Sequence, residues 1–275
     1  MSKTKKKPHH SMSERNETED LNDNNSKYFH SVHQLGKTSD SKKKYLPKYK
    51  IVNGPSFGEV VLDLQRGQKI VTQFGCMNYM DGNMKVDTSS RGGFMSGLKR
   101  LFLTSSSMFL TTYMGMRDSN EISFSSQLPG DILPVIIRPS EKIIISPYSL
   151  VCFTNNLTIN SKRRLRGFLT NEGIYQTELV NKTNKDGLLF LSSYGGYKKV
   201  KIPKGKTIKL DNGLFLCSHT DTKYDIAIAG GIKSGLLSGE GLMMEFTGPC
   251  EIYTQGRSID SLLNFLRRHL AVKYN

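Results

Sequence analysis

The strongest constraint on the fold is an amphipathic β pattern that recurs three times along the chain. In each copy, apolar residues alternate with polar ones on both sides of a short turn, at Gly67, Ser140 and Gly205. A period of two places the apolar side chains of a strand on one face. Two such strands around a tight turn predict a β-hairpin with one buried face. The apolar positions are Leu62, Leu64 and Ile70, then Val135, Ile137, Ile143 and Ile145, then Val200, Ile202, Ile208 and Leu210.

A second landmark recurs in step with the first. Glu172-Gly173 in the second copy matches Gly239-Glu240-Gly241 in the third, and Ser105-Ser106-Ser107 holds the same position in the first. Both landmarks return after about 70 residues. We therefore predict an all-β domain over residues 51–257, made of three tandem hairpin-based modules at about 55–126, 127–193 and 194–257, which share one core.

The segments on either side of the modules differ from them in composition. The first 50 residues hold 12 Lys and Arg against 6 Asp and Glu, which is a charge of +6 out of +15 for the whole chain. They contain few large apolar side chains to offset the entropy of ordering, so residues 1–50 are predicted to be a disordered basic tail. Residues 258–275 are predicted to form one C-terminal helix with Ser258 as its N-cap, packed on the β domain or on a neighbouring chain.

An ordered series of short motifs between residues 55 and 257 carries a family resemblance. The motifs are Met80-Asp81, Gly92-Gly93, Gly97-Leu98-Lys99-Arg100, Pro129-Gly130-Asp131, Gly230-Gly231, Gly239-Glu240-Gly241 and Phe246-Thr247-Gly248-Pro249. Together they resemble the altered-inheritance-of-mitochondria protein 24 family, in the superfamily of the tryptophan RNA-binding attenuator protein. The resemblance implies a shortened double-stranded β-helix, repeated within the chain, and a homo-oligomer. It supplies no established biochemical role, although fungal members are linked to mitochondrial membrane organisation.

Two departures from the family pattern stand out. Ser105-Ser106-Ser107 replaces the Gly-Glu-Gly type of turn in the first module, and Cys250 stands where a glycine usually follows Gly248-Pro249. The basic tail lies outside the resemblance.

The residues give little support to catalysis. Residues 54–58 fit the G-x-S-x-G pattern around Ser56, but a nucleophile elbow needs a following helix and an amphipathic strand follows here. Only His219 and His269 lie outside the tail, too few for a histidine-rich metal site. Glu172 and Glu240 could form an acid–base pair, but carboxylates that accept backbone N–H groups in their own turns are favoured. We predict no catalytic residue, no metal and no cofactor, and hence no enzyme.

The basic residues are the remaining distinctive feature. Lysines crowd the turn of the third module, and arginines crowd a segment predicted to be a loop of the second. Where the third module has Lys201, the other two have Asp63 and Ile136, so the fold does not require the lysines. Such a surface is typical of phosphate recognition, with Tyr194 and Tyr197 placed to stack on bases, while a solvated lysine-rich face is the alternative. The candidate anion-binding residues are Lys198, Lys199, Lys201, Lys204, Lys206, Arg163, Arg164 and Arg166.

These observations lead to one preferred function and one alternative. We expect a non-enzymatic, homo-oligomeric β-repeat scaffold, and alternatively a module that binds RNA, DNA or an anionic membrane surface. The longest apolar run, Ile132–Ile137, is far shorter than the roughly 20 residues of a transmembrane helix. Four cysteines without a C-x-x-C pair indicate a reducing compartment. The cytoplasm is favoured over a mitochondrial or virion-associated location.

Overall fold

The computed structural model describes residues 45–87, 110–146, 148–166, 173–228 and 242–270. These residues form β-strands and one C-terminal helix, so the predicted all-β class is confirmed. In chain order the strands are β1 (Lys48–Val52), β2 (Glu59–Leu64), β3 (Lys69–Gln73), β4 (Met77–Met80), β5 (Lys85–Asp87), β6 (Leu110–Met114), β7 (Asn120–Ser125), β8 (Ile132–Ile137), β9 (Lys142–Ile145), β10 (Leu150–Thr154), β11 (Leu157–Arg166), β12 (Gly173–Asn181), β13 (Gly187–Ser192), β14 (Tyr197–Ile202), β15 (Thr207–Asp211), β16 (Phe215–His219), β17 (Tyr224–Ile228), β18 (Leu242–Thr247) and β19 (Cys250–Gln255).

The strands form four antiparallel sheets. Sheet I has the spatial order β1-β2-β7-β4, and sheet II has the order β5-β6-β3-β10-β13-β8. Sheet III has the order β11-β12-β9-β16-β19-β14, and sheet IV has the order β15-β18-β17. Sequence neighbours are therefore distributed over different sheets, and most pairings join strands that are distant in the chain.

The same pairings occur in each consecutive group of six strands, β2–β7, β8–β13 and β14–β19. In every group the first and third strands pair with the sixth, and the second and fourth strands pair with the fifth. Two further pairings, β3 with β10 and β9 with β16, join one group to the next. Sheets II and III are thus each built half from one group and half from its neighbour.

The predicted hairpins are wrong in one respect, because the two strands around each turn do not pair with each other. β2 lies in sheet I and β3 in sheet II, and the corresponding strands of the other groups are also divided between sheets. Leu62 and Leu64 of β2 and Ile70 of β3 nevertheless belong to the same buried cluster. Strands that face each other across a core show the same alternation as strands of a hairpin, so the pattern alone does not distinguish a hairpin from a corner between sheets.

Each corner is a tight turn with a left-handed residue at the predicted position. The φ angles are 79° at Gly67, 66° at Ser140 and 78° at Gly205. In the first corner the backbone N–H of Gln68 donates to the carbonyl of Gln65 at 2.9 Å, and equivalent bonds close the other two corners. A positive φ costs a residue with a Cβ about 1–2 kcal/mol, which explains the two glycines.

Two buried clusters lie between the sheets. Phe124 and Leu62 of sheet I pack with Phe190 and Cys152 of sheet II. Phe215 and Ile252 of sheet III pack with Met244 and Phe246 of sheet IV. In sheet II, β10 and β13 are buried along their whole length, so both faces of these strands are covered.

The C-terminal helix α1 spans Ile259–His269, and its predicted N-cap is confirmed. The Ser258 hydroxyl accepts a hydrogen bond from the backbone N–H of Ser261 at 3.3 Å. The helix begins beside a 3₁₀ turn, Asn212–Leu214, but Leu263, Phe265 and Leu270 remain exposed.

The boundary with the N-terminal tail also differs from the prediction. β1 begins at Lys48 and pairs with β2, although residues up to 50 were expected to belong to the tail. Residues 1–44 lie outside the described residues. Within the described segments, a helix with the length and apolar character of a transmembrane span is not found.

The corners provide a test of the fold. Ala in place of Gly67 or Gly205 meets no neighbouring atom within 4 Å but must hold a left-handed φ. We expect each substitution to lower the free energy of unfolding by about 1–2 kcal/mol in urea denaturation. Gly82→Ala is the matched control, since it has equal space and no positive φ, and should change stability by less than about 0.5 kcal/mol. Equal effects at Gly67 and Gly82 would contradict the corner geometry.

Candidate functional site

The lysines of the third module do not lie on one surface. Lys199 and Lys201 are opposite Tyr253 and Glu251 of β19, while Lys198 is opposite Thr254. Because side chains alternate along a strand, Lys198 points to the other face of sheet III. Lys204 and Lys206 belong to the corner turn, and Lys209 belongs to β15 in sheet IV.

Three of these lysines pair with carboxylates of the neighbouring strands. The Nζ of Lys199 lies 2.7 Å from one oxygen of Glu251, and the Nζ of Lys201 lies 3.5 Å from the other. Glu251 is only 17% exposed, so this carboxylate is shared between two cations in a partly desolvated position. Lys209 pairs with Glu245 at 3.3 Å. Carboxylates of neighbouring strands therefore neutralise much of the positive charge of these lysines.

Lys198, Lys204 and Lys206 form a different set. All three are exposed, and none makes an ion pair with another residue in the described part of the chain. We call these three residues the free lysines. Among the five predicted lysines, they are the ones without a carboxylate partner in the described residues.

The arginines of the second module are not in a loop, which corrects the sequence prediction. Arg163, Arg164 and Arg166 lie in β11, paired with β12 over its whole length. β11 and β14 are the two opposite edges of the six-stranded sheet III. Five strand spacings separate these edges by roughly 24 Å. The fold therefore does not bring the arginines and the lysines of β14 together.

The position of β14 at a sheet edge explains its lysines in another way. Exposed edges offer unpaired N–H and C=O groups to other chains, and lysine or proline at an edge opposes such pairing. Among the equivalent first strands, β2 is covered by β1, and β8 is an edge strand that contains Pro134. β14 has Lys198, Lys199 and Lys201 instead. A single sequence does not show which strand lies at an edge, so this explanation emerges only from the topology.

The two tyrosines next to the lysines are in different situations. Tyr197 is partly buried, with its ring 6.4 Å from the ring of Tyr253. Burial raises the pKa of Tyr197 to about 12, with a smaller contribution from the charge of Asp131. The backbone N–H of Tyr194 donates to the side-chain oxygen of Gln255 at 3.0 Å. Tyr197 is thus a packing residue of the sheet rather than an exposed platform for bases.

The predicted turn motif is only partly within the described residues. Glu172 and Gly239, Glu240 and Gly241 lie outside them, and Gly173 is the first residue of β12. Gly248, which a cis peptide bond joins to Pro249, approaches the third corner very closely. A Cβ at Gly248 would be 2.2 Å from the carbonyl oxygens of Ile202 and Pro203, so the close approach requires glycine here.

The nucleophilic side chains occupy structural positions. Cys152 and Cys217 are completely buried, and burial raises the pKa of each thiol above its ordinary value. Ser56 is in the exposed turn between β1 and β2, and the strand β2 follows it where a nucleophile elbow would have a helix.

The described segments contain no group of three or more His, Cys, Asp or Glu residues placed to hold a metal ion.

Comparisons with known proteins agree with this architecture. Residues 49–257 match the family model described as Mitochondrial biogenesis AIM24. An uncharacterized protein of Streptococcus pyogenes serotype M6 is 24% identical over 237 residues, which cover 83% of this chain and 93% of that protein. A crystal structure of a Streptococcus pyogenes protein superposes with a TM-score of 0.66 at 21% identity, over 82% of this chain and 100% of the other. The structural likeness shows the fold.

The shared carboxylate of Glu251 supplies a prediction. Glu251→Gln removes the carboxylate charge that the partly buried Lys199 ammonium contacts at 2.7 Å, so we expect the free energy of unfolding to fall by about 1–3 kcal/mol. Lys201→Ala removes only the more exposed partner, and its effect should stay below about 1 kcal/mol. Urea denaturation measures both values. If Glu251→Gln and Lys201→Ala have the same free energy of unfolding, the ion pair of Glu251 with Lys199 does not stabilise the fold as we expect.

Proposed function

This chain belongs to the Mitochondrial biogenesis AIM24 family, and we propose that it acts as a non-enzymatic, self-associating β-repeat scaffold. The relatives that it resembles in sequence include a protein described only as uncharacterized, so the proposal rests on the architecture. In support of it, the thiols of Cys152 and Cys217 are buried.

The recurrence of one pairing scheme carries the proposal. We infer that the three groups of six strands are tandem modules of the kind found in the superfamily of the tryptophan RNA-binding attenuator protein. Supporting this, each group contains the same pairings, and the residue at each corner has a positive φ. Each module supplies strands to a sheet that its neighbour completes, so neighbouring modules are joined by shared sheets. A chain whose units are all joined in this way is suited to assembly with other copies.

Self-association is directly measurable. We expect light scattering coupled to size-exclusion chromatography to give a mass that is a multiple of the 30.9 kDa chain. A variant that begins at residue 45 should give the same subunit number, because the proposed contacts lie in the β domain. A monomer at every concentration tested would contradict the proposed scaffold.

Binding of RNA, DNA or anionic lipid through basic residues is the second candidate function. The free lysines favour it, because Lys204 and Lys206 flank the exposed Gly205 in the third corner. In the first corner, by contrast, Arg66 lies 3.7 Å from Asp118, and in the second Arg138 lies 3.9 Å from Glu141. Of the three corners, the third therefore presents two cations that make no ion pair within the described residues.

This second function predicts a particular salt dependence. Binding to an RNA or DNA oligonucleotide should weaken steeply with salt, and Lys204→Glu with Lys206→Glu should reduce the slope of log affinity against log salt by about 2. Lys69→Glu with Lys85→Glu, which changes two exposed lysines of β3 and β5, is the matched control and should have little effect. Absence of binding at about 50 mM salt, or equal effects of the two variants, would exclude this function for the third corner.

A further inference from the structure

The most exposed apolar side chains of the described residues lie at one end of the β-strands. Five large apolar residues are more than half exposed, and a set of exposed apolar residues on one surface is typical of an interaction site. Three of them lie in connections between strands, and two belong to α1 and its C-cap. They are Phe57, Phe74, Tyr148, Phe265 and Leu270, between 57% and 70% exposed.

Phe74 and Tyr148 lie at the same end of sheet II. Thr72 of β3 is opposite Cys152 of β10, and the two strands are antiparallel. The end of β3 and the start of β10 therefore meet at one end of the sheet. Phe74 directly follows β3, and Tyr148 lies two residues before β10. Both aromatic residues thus belong to turns at this end.

The helix α1 lies beside the turn that joins β9 to β10. The backbone N–H of Ser146 in that turn donates to the carbonyl of Leu216 at 2.9 Å. Leu216 belongs to β16, which directly follows the 3₁₀ turn Asn212–Leu214. A Cβ at Gly213 of this 3₁₀ turn would collide with the hydroxyl oxygen of Ser258, the N-cap of α1. The start of the helix is therefore at the same end as the two aromatic residues.

Phe57 belongs to this end as well. Phe57 forms a parallel bridge with Gly130, which precedes β8, and Gly130 forms another with Gly195, which precedes β14. The start of β8 pairs with the end of β13, and the end of β13 pairs with the start of β10. The first strands of the groups all lead from here to the corners, which lie at the opposite end. We call Phe57, Phe74, Tyr148 and α1 the apolar end.

The helix of the apolar end is amphipathic and only partly covered. Five aliphatic residues recur at intervals of three and four along α1 and its C-cap, so they share one face. They are Ile259, Leu262, Leu263, Leu266 and Leu270. None of the residues of α1 is buried, and Arg267 and Arg268 are exposed beside the apolar face. An apolar face bordered by arginines is typical of a helix that lies in the interface of a membrane.

The charges at the apolar end are complementary to acidic lipid headgroups. Arg257 and the two arginines of α1 are exposed and make no ion pair within the described residues. Asp131 and Asp211 each accept a hydrogen bond from a nearby backbone N–H, at 2.8 and 2.7 Å. Asp260 lies in the first turn of α1, where a carboxylate stabilises the helix dipole. The arginines are thus available to anionic headgroups.

We propose that the apolar end docks on an anionic lipid bilayer, with its exposed aromatic side chains and the apolar face of α1 inserted among the headgroups. Because Phe57, Phe74 and Tyr148 lie singly on separate connections, a fluid lipid phase accommodates them more readily than a partner of fixed shape does. This surface is separate from the free lysines of the third corner, at the other end of the strands. The inference does not depend on the proposed scaffold.

Sedimentation of the full chain with vesicles tests this surface. We expect binding to phosphatidylcholine vesicles that contain about one third phosphatidylserine, and several-fold weaker binding to phosphatidylcholine alone. Phe57→Asp with Phe74→Asp should reduce binding to the anionic vesicles at least several-fold. Val86→Asp with Met116→Asp is the matched control, because it adds the same charge at exposed apolar residues of β5 and beside the first corner. The control should bind like the unmodified chain.

A fluorescent label provides a second measurement that does not require a loss of binding. In a chain with Cys250→Ser the remaining cysteines are buried, so a dye can be attached at Phe265→Cys alone. An environment-sensitive dye at this position should shift to shorter wavelength when anionic vesicles are added, whereas the same dye at Met116→Cys should not. Arg267→Gln with Arg268→Gln should remove most of the preference for phosphatidylserine.

Several results would overturn the membrane surface. These are no binding to either kind of vesicle, or an unchanged dye at position 265 in a chain that binds. Binding that is lost with Lys204→Glu and Lys206→Glu, but kept with Phe57→Asp and Phe74→Asp, would place the lipid at the third corner instead. Circular dichroism identifies a variant that fails to fold, and the dye then decides. A monomer that binds vesicles as expected would contradict the scaffold and leave this inference intact.

Discussion

The structure depends on backbone hydrogen bonds that cross from one group of strands to the next. Without the pairings of β3 with β10 and β9 with β16, sheets II and III would each divide into two three-stranded halves. The apolar residues of one group pack against those of its neighbour, as Cys152 and Phe190 of the second group do with Leu62 and Phe124 of the first. Each group of strands therefore lacks part of its own core, and the neighbouring group supplies it.

The sequence predicts the strands, turns and helix cap of this chain far better than it predicts which strands pair with each other. The alternation of apolar residues predicted the strands, the turn residues Gly67, Ser140 and Gly205 all have the left-handed φ that a tight turn requires, and Ser258 caps the helix. The predicted hairpins were wrong because the alternation of apolar residues indicates only that one face of a strand is buried. It does not indicate whether the next strand in the chain lies beside the first in the same sheet or faces it across the core.

The charged residues of the candidate site show the same limit, because a run of lysines in the sequence does not show which surface each of them occupies. Six lysines within a short segment suggested one basic surface, but the pleat sends Lys198 and Lys199 to opposite faces and the corner moves Lys209 to another sheet. The acidic partners Glu251 and Glu245 are distant in sequence, so their effect was not predictable from the lysine-rich segment. What persists of the predicted site is the two free lysines of the third corner, Lys204 and Lys206, with Lys198 apart from them in β14.

The way in which sheets are shared also bears on how such a chain can change its length. In the middle group of six strands, β8, β10 and β13 complete the sheet of the preceding group, while β9, β11 and β12 belong to a sheet that the following group completes. Insertion or deletion of one whole group of six strands would keep the same two kinds of shared sheet. An insertion or deletion that ends within a module would instead leave a half-sheet with no complement. Family members are thus expected to differ in length by whole modules, or by loops, and not by single strands.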